Sequence, residues 1–356
     1  MRAVRRLDRV VPRRRSRAAL LAAVIAMTVL IASGCGSSGD GGSATAESPV
    51  TLAGDTAKTT NAAVTDAVAT DAASTDAALT EAAPTGSRVE SEAIGDRRFE
   101  INVPEGYDGS KPVPLVVVLH GYGGNGAGAK EYFKLEAEAR GRGFLTVHPD
   151  GTEDSSGKQF WNATDACCQL TATESDDSAF LTALIDRVEE TFSVDPKRVF
   201  FAGHSNGGFM SYRMACEHAD RIAAIVSVAG ATFADVSACT PSQPVSVLQL
   251  HGTSDVVISF TGGSIVGDLY PAALTSVTTW AAYNGCDTAP EAGAASKSLD
   301  LDEYLAGKDS SVTAFAGCPA GGAVALWTID GGSHQPALTT EFASRIMDFL
   351  LAHPKP

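Results

Sequence analysis

The stretch that decides the fold is Val199-Phe200-Phe201-Ala202-Gly203-His204-Ser205-Asn206-Gly207. Four apolar residues typical of a buried strand lead directly into Gly203, and a helical pattern follows over Phe209–Glu217. The pattern G-x-S-x-G between a strand and a helix is typical of a tight turn that exposes a serine hydroxyl above a sheet. Side chains in place of the two glycines would collide with neighbouring backbone. We therefore predict that Ser205 is a nucleophile.

Strand and helix patterns alternate on both sides of this turn. Strand patterns cover Arg97–Val103, Leu115–Leu119, Phe144–Val147, Val199–Ala202, Ala224–Val228, Val245–Leu250 and Val324–Ile329. Helix patterns also cover Ala179–Phe192, Leu274–Tyr283 and Thr340–Leu351. This alternation predicts an α/β fold with a mostly parallel sheet covered by helices on both faces. Active sites in such sheets lie at the carboxyl ends of the strands.

A nucleophilic serine needs a base, and the base needs an acid to orient it. After a turn of this type the chain order is serine, acid, histidine. His334 stands in a glycine-rich loop after the strand Val324–Ile329, and we predict that it is the base. Asp255 stands in the loop after the strand Val245–Leu250, and we predict that it is the acid.

Other residues could in principle fill these two roles. His218 ends the helix behind the nucleophile, His251 precedes the predicted acid, and His353 follows the last helix, so all three are poorly placed. Asp268 and Asp330 are rivals for the acid, although Asp330 is close to His334 in sequence.

The chemistry also needs two backbone N–H donors for the oxyanion of a tetrahedral intermediate. One should be the N–H of Asn206, directly after the nucleophile. The other should come from His120-Gly121-Tyr122-Gly123-Gly124, and we choose the N–H of Tyr122. A plain glycine-rich turn is the alternative interpretation. This stretch is not a phosphate-binding loop, because no Gly-Lys-Ser/Thr follows it.

Several motifs together resemble the polyhydroxybutyrate depolymerase and feruloyl esterase family of secreted esterases. They are Leu119–Gly124, His148–Thr152, Trp161–Ala163 before Cys167-Cys168, Gly203–Met210, His251–Asp255 and Asn284–Cys286. The resemblance implies an α/β-hydrolase fold over the catalytic domain, residues 89–356. It implies activity on esters of carbohydrates, hydroxycinnamates or hydroxyalkanoates. We expect no cofactor, and we expect no metal because the spacing of the cysteines fits no zinc site. Ser333-His334-Gln335-Pro336 lacks the aromatic residue that often follows this histidine in the family, which weakens the substrate inference.

Two points stay open in the sequence. Trp161, which we consider for substrate binding, could be a substrate platform or a core anchor. The same three catalytic side chains would also serve a peptidase or a thioesterase. A non-catalytic surface binding module is a further alternative, although such a module should lack one of the three residues.

The N-terminal residues predict export. Eight arginines before Ala18, an apolar run to Ala32 and small residues before Cys35 describe a signal peptide over residues 1–35. Ile31–Cys35 resembles the lipobox of bacterial lipoproteins, in which Cys35 would be lipidated. Residues 36–88 are rich in Ala, Thr, Ser and Asp and lack aromatic side chains, so they predict a disordered stalk. The expected location is the outer face of the bacterial cell membrane, or the medium after release.

The charge restricts the partners. The whole chain carries −15, and the signal contributes eight Arg and one Asp, so the remainder carries −22. A surface this acidic argues against nucleic acid and anionic lipid headgroups as partners. We expect a monomer that binds an ester substrate, polymeric esters included, and contacts the membrane only through its lipid anchor.

Six cysteines remain after Cys35, an even number that predicts three disulfides in an exported protein. We expect Cys286 to pair with Cys318, which flank the segment before the strand that leads to His334. Adjacent cysteines are poorly placed to bond each other. Cys216 and Cys239 should then share Cys167 and Cys168.

Overall fold

The structure is a computed structural model that describes residues 87–168, 170, 175–290 and 297–356. The predicted signal peptide with Cys35 lies outside the described residues, and so does the predicted stalk as far as residue 86. The first strand begins at Arg88, the last residue of that predicted stalk. Among the described residues, no helix has the length and apolar character needed to cross a membrane.

The regular elements follow one another in chain order. The strands are β1 (Arg88–Ile94), β2 (Arg97–Val103), β3 (Val113–Leu119), β4 (Leu145–Pro149), β5 (Thr152–Glu153), β6 (Gln159–Phe160), β7 (Val194–His204), β8 (Ala224–Val228), β9 (Ser246–Gly252), β10 (Gly263–Ile265), β11 (Asp268–Tyr270), β12 (Lys297–Leu299), β13 (Ser310–Ala314) and β14 (Val324–Ile329). The α-helices are α1 (Gly126–Phe133), α2 (Glu136–Arg142), α3 (Asp177–Thr191), α4 (Asn206–Glu217), α5 (Ala273–Asn284) and α6 (Thr340–Ala352).

One large sheet organises the described residues. Its strand order is β1-β2-β4-β3-β7-β8-β9-β14-β13-β12. The neighbours from β4 to β14 are parallel, whereas β1, β2, β13 and β12 pair antiparallel at the two edges. The predicted, mostly parallel sheet is therefore confirmed.

Apolar side chains cover both faces of this sheet. Successive residues of a strand point to opposite faces. Val117 and Phe201 accordingly belong to one apolar core, which α3, α4 and α5 cover. Val116 and Phe200 belong to a second core, which α1, α2 and α6 cover. The continuous apolar runs of the central strands follow from burial on both faces.

The parallel strands bring three sequence-distant loops to one edge of the sheet. Ser205 follows β7, Asp255 lies three residues after β9, and His334 lies five residues after β14. Because β7, β8, β9 and β14 are parallel neighbours, their carboxyl ends meet at the same edge. The site predicted from the sequence is assembled there.

The disulfides correct part of the predicted pairing. Cys286 pairs with Cys318, as predicted. Cys216 pairs with Cys239 and Cys167 with its neighbour Cys168, so the prediction that Cys216 and Cys239 would share the adjacent pair was wrong. The reason lies in the chain path, because Cys216 near the end of α4 and Cys239 are only 5.6 Å apart between their Cα atoms. Three disulfides indicate that the domain matures in an oxidising compartment.

Candidate active site

The turn at Ser205 holds its backbone in an unusual conformation. Ser205 has φ 53° and ψ −119°, a region that residues with a side chain rarely adopt. A Cβ on Gly203 would lie under 3.0 Å from the backbone of Gly207, and one on Gly207 would lie as close to the backbone of Leu119. Both glycines are therefore required by close backbone contacts. The turn presents the Ser205 hydroxyl at the start of α4.

The structure brings the three predicted side chains into one hydrogen-bonded chain. Nε2 of His334 lies 2.9 Å from Oγ of Ser205. Nδ1 of His334 lies 2.8 Å from Oδ2 of Asp255. The other oxygen of Asp255, Oδ1, accepts hydrogen bonds from the backbone N–H groups of Val257 and Ile258, each at 2.8 Å. The carboxylate is thus fixed on both oxygens.

Backbone packing holds the Asp255 and His334 loops together. The N–H of Ser254 donates to the carbonyl oxygen of Gly332 at 3.0 Å. A Cβ on Gly252 would collide with the backbone of Gly332. The glycines of the two motifs therefore allow the loops that carry acid and base to touch.

The rival residues lie elsewhere. Asp268 is exposed in β11, beside a groove that Arg213 also lines. Asp330 is exposed and accepts a long hydrogen bond, 3.5 Å, from the hydroxyl of Thr253. His218, which ends α4, faces the hydroxyl of Ser178 in α3 at 2.8 Å.

The loop that carries one predicted oxyanion donor, the N–H of Tyr122, lies beside Ser205, and the other predicted donor is the N–H of the next residue, Asn206. Gly121 lies against the nucleophile, because a Cβ on Gly121 would be 3.4 Å from the Cβ of Ser205. Within the described residues, neither the N–H of Tyr122 nor that of Asn206 donates to a protein acceptor. Both donors thus remain available for a ligand oxygen.

A cleft of about 460 Å³ opens above Ser205 and His334. We call it the Ser205 cleft. Its further lining residues are His120, Gly121, Tyr122, Gly123, Gly124, Gly128, Ala129, Tyr132, Phe133, His204, Val257 and Gln335. Glycines and one alanine on the α1 side leave room for a substrate, and aromatic rings form part of the wall.

Comparison with known proteins identifies the family to which this chain belongs. Residues 107–286, half of the chain, match the Phospholipase/Carboxylesterase family. The chain belongs to the phospholipase/carboxylesterase family. Feruloyl esterase C of Emericella nidulans is 30% identical over 233 residues, which cover 63% of this chain and 72% of that protein. Feruloyl esterase B of Piromyces equi is 29% identical over 246 residues, 67% of this chain but only 42% of that longer protein.

The fold of this carboxylesterase-family chain resembles that of a solved structure of another protein. An acetyl xylan esterase from Aspergillus awamori superposes with a TM-score of 0.52, covering 74% of this chain and 98% of that one. The sequence identity is 17%, so the likeness concerns the fold. Together with the sheet order, it confirms the predicted α/β-hydrolase fold.

Trp161 is a core anchor in this carboxylesterase-family chain, and its assignment to substrate binding was wrong. Its side chain is fully buried, so it cannot contact a substrate. Its indole N–H donates to the carbonyl oxygen of His120 at 3.0 Å. The side-chain amide of Asn206 pairs with the backbone of Trp161 in both directions, each bond 2.7 Å long. Trp161 therefore ties the glycine-rich loop to the turn at Ser205.

Two buried histidines that the sequence analysis did not assign also hold this site. Nε2 of His120 accepts from the N–H of Gly151 at 2.9 Å, and its Nδ1 donates to the carbonyl oxygen of Gly121 at 2.8 Å. Nε2 of His204 donates to the carbonyl oxygen of His334 at 2.9 Å. Burial lowers the pKa of each to about 4, so both are neutral at pH 7. Their position inside the two strongest motifs was the available signal.

The described residues include no group of three or more His, Cys, Asp or Glu side chains that could hold a metal ion. The carboxylates near the site are already engaged in bonds to backbone and histidine groups.

Proposed function

We propose that this chain is a serine carboxylic ester hydrolase in which Ser205 is the nucleophile, His334 the general base and Asp255 the acid that orients it. One observation carries the proposal. The bonds of 2.9 Å and 2.8 Å from Ser205 through His334 to Asp255 lie beside two backbone N–H groups that have no protein acceptor. A nucleophile, a base, an orienting acid and an oxyanion site are the four parts that acyl transfer needs.

The reaction proceeds in two halves. Oγ of Ser205 attacks the ester carbonyl carbon while its proton passes to Nε2 of His334. The N–H groups of Tyr122 and Asn206 stabilise the oxyanion. The bond to the alcohol breaks as His334 returns the proton to the leaving oxygen, which leaves an acyl group on Ser205. Water then attacks this acyl-enzyme with the same proton transfers, which releases the acid and restores Ser205.

We propose short-chain or hydroxycinnamoyl esters as substrates, including esters linked to a polymer. The names of the relatives support this choice, since two are feruloyl esterases and the matching structure is an acetyl xylan esterase. The rings of Tyr132 and Phe133 in the Ser205 cleft suit a flat or small acyl group. Plant polysaccharide esters fit this description best, and a hydroxyalkanoate polyester is a second polymer of the same chemical class.

The first test is at the nucleophile. Ser205→Ala should lower kcat for p-nitrophenyl acetate by at least about 10⁴-fold, because the covalent step is lost. A serine-directed phosphonate should label Ser205 of the wild type and nothing in the variant. Ser333→Ala, an exposed serine beside His334, is the matched control and should keep its activity. Full turnover by a folded Ser205→Ala protein would refute the assignment.

A substrate panel separates ester hydrolysis from the alternatives. We expect methyl ferulate and acetylated xylan to be hydrolysed faster than a matched peptide or acyl thioester. If the phosphonate labels Ser205 but only the peptide or the thioester turns over, the protein is a peptidase or thioesterase. If nothing labels Ser205, a non-catalytic binding module is the better description.

We also propose that the domain is exported and held at the membrane by a lipid on Cys35. The lipobox-like sequence and the three disulfides support export. Two acyl chains suffice for stable anchoring. The full chain should partition into the detergent phase of Triton X-114 and Cys35→Ala should not. A mature terminus elsewhere without acyl groups, found by mass spectrometry, would contradict the anchor.

A further inference from the structure

Two polar side chains lie inside the apolar strand β9, behind the proposed triad. Gln249 and His251 are two residues apart, so both lie on the same face of the strand. Their exposed fractions are 0% and 2%. Burying polar groups costs free energy unless they are hydrogen-bonded. Neither residue has a part in the two half-reactions, so their partners must explain them.

The partners of Gln249 fix the orientation of its amide. Its Oε1 accepts from the hydroxyl of Tyr212 at 2.9 Å, and its Nε2 donates to the carbonyl oxygen of Gly230 at 2.8 Å. A carbonyl oxygen can only accept, so the amide has a single possible orientation. The second N–H of Nε2 is directed at Nδ1 of His251, 3.0 Å away. Nδ1 must therefore be the acceptor.

The proton of His251 then lies on the other ring nitrogen. Nε2 lies 2.8 Å from the carbonyl oxygen of Ile258 and 3.3 Å from Oδ2 of Asp255. A second proton on Nδ1 would point at the N–H of Gln249, one donor against another. The hydrogen bonds around the ring therefore select the tautomer with its proton on Nε2.

The same bonds act on Asp255. Burial alone would raise its pKa, but hydrogen bonds from His251 and His334 outweigh burial and hold the pKa of Asp255 well below its usual range. Oδ2 of Asp255 is thus the oxygen that both histidines approach.

We infer that His251 is a positioning residue: Gln249 fixes its tautomer, so that its Nε2–H is shared between the carbonyl oxygen of Ile258 and Oδ2 of Asp255, and the charge of that carboxylate is left to His334. The inference rests on the proposed function. A cationic His251 would neutralise Asp255 and make a protonated His334 less favourable, which would weaken the base. A neutral His251 directs one N–H dipole at the carboxylate and leaves the charge of the carboxylate unchanged.

The titratable groups around His251 come from four elements. Asp255 follows β9, His334 follows β14, His204 ends β7, and Tyr212 of α4 acts through Gln249. Burial lowers the pKa of His204 to about 4 and raises the pKa of Tyr212 far above its usual value, so both are neutral between pH 5 and 9. Asp255 is then the charged group that His251 meets.

A direct test is the tautomer of the ring. In the full chain with ¹⁵N-labelled histidine, the two ring nitrogens of His251 should show Nε2 protonated and Nδ1 not. The signals are assigned with a folded His251→Asn variant. A proton on Nδ1 of the neutral ring would overturn the inference.

A kinetic test replaces the amide of Gln249, which donates to His251, with a carboxylate that can only accept. Gln249→Glu should favour a proton on Nδ1 of His251 and so a cation beside Asp255. In the profile of kcat/KM against pH, the acidic limb should then move to lower pH by about one unit. The value of kcat should fall about tenfold, and KM should stay within twofold of the wild-type value. Gln243→Glu places the same charge on an exposed loop at the other end of β9 and should leave the profile in place.

A packing control separates positioning from loss of stability. Tyr212→Phe removes the hydroxyl bound to Gln249 but keeps the amide orientation, so it should lower the melting temperature and leave the acidic limb in place. If Gln249→Glu is folded and its limb does not move, the inference is wrong. Phosphonate labelling of wild-type Ser205 distinguishes that result from a failure of the proposed function, because labelling fails only in the second case.

Discussion

A single hydroxyl group holds the loop that presents one of the proposed oxyanion donors. The Tyr122 hydroxyl donates to Oδ2 of Asp154 at 2.6 Å. Burial and this bond raise the pKa of Tyr122 to about 12, and the same bond keeps the pKa of Asp154 well below its usual range. The adjacent N–H of Gly123 donates to the carbonyl oxygen of Gln159 at 2.8 Å. The side chain and the backbone thus fix the direction of the Tyr122 N–H together.

This contact yields a prediction at the residue scale. Tyr122→Phe keeps the ring and the backbone donor but loses the bond to Asp154, so the loop should become less ordered. We expect kcat for p-nitrophenyl acetate to fall about tenfold with KM little changed, because an oxyanion donor acts mainly in the transition state. Tyr304→Phe, at an exposed tyrosine, is the control. A drop in kcat that is equal in both variants would show that the Asp154 bond has no such role.

Among single residues, the sequence predicted the placement of those whose order along the chain is constrained. Ser205, Asp255 and His334 follow the serine, acid, histidine order, and each stands just after a buried strand. Trp161 was undecided because an aromatic side chain in a polar loop suits both a surface and a core. His251 escaped notice as a partner of Asp255, although the polar residues two apart in an apolar strand were a readable signal.

At the scale of elements, the strands of the central sheet, the strand β2 and the four helices α3 to α6 were predictable, whereas α1, α2 and the short strands were not. β8 and β14 have the bounds that their apolar runs predicted. α1 was missed because Gly126 and Gly128 suggest a loop. Gly126 is instead required by packing, since a Cβ there would collide with the backbone of His148. The short edge strands and hairpins carry too few apolar residues to be recognised from periodicity.

The disulfide between Cys286 and Cys318 joins the end of α5 to the segment before β14, which leads to the His334 loop. The two cysteines are 32 residues apart in sequence, a loop whose closure should stabilise the fold by about 3–4 kcal/mol. The double variant Cys286→Ala/Cys318→Ala should therefore melt several degrees below the wild type. Differential scanning calorimetry measures this shift.

Peptide mapping without reduction tests the connectivity itself. We expect three linkages, namely Cys286 with Cys318, Cys216 with Cys239 and Cys167 with Cys168. A peptide that joins Cys286 to any other cysteine would contradict the pairing, and an unchanged melting temperature in the double variant would contradict its contribution to stability.

At the scale of the whole molecule, the chain that surrounds the Ser205 cleft leaves little material for a lid. The 49 residues between Ser205 and Asp255 contain α4, β8, a short 3₁₀ helix and β9. The segment that contains β5 and β6 is fixed to the turn at Ser205 through Trp161 and Asn206. Neither stretch contributes a lining residue to the Ser205 cleft, and we expect neither to act as a lid.

Within the part of the chain that the structure describes, the Ser205 cleft is uncovered, and this has a consequence for acyl-chain preference. Each buried CH₂ contributes ~0.8 kcal/mol, so an enclosed acyl tunnel would make kcat/KM rise with every added carbon. The Ser205 cleft of about 460 Å³ is bounded by Tyr132 and Phe133 and offers no such tunnel. For p-nitrophenyl esters we expect kcat/KM to peak at about two to four carbons.

The rate should also show no jump when the substrate exceeds its solubility limit, because no lid has to open at an interface. Measuring kcat/KM for p-nitrophenyl esters from acetate to palmitate, below and above that solubility limit, tests both expectations. A maximum at about eight carbons or beyond would contradict this prediction, because it would mean that a long acyl chain is buried against apolar surface.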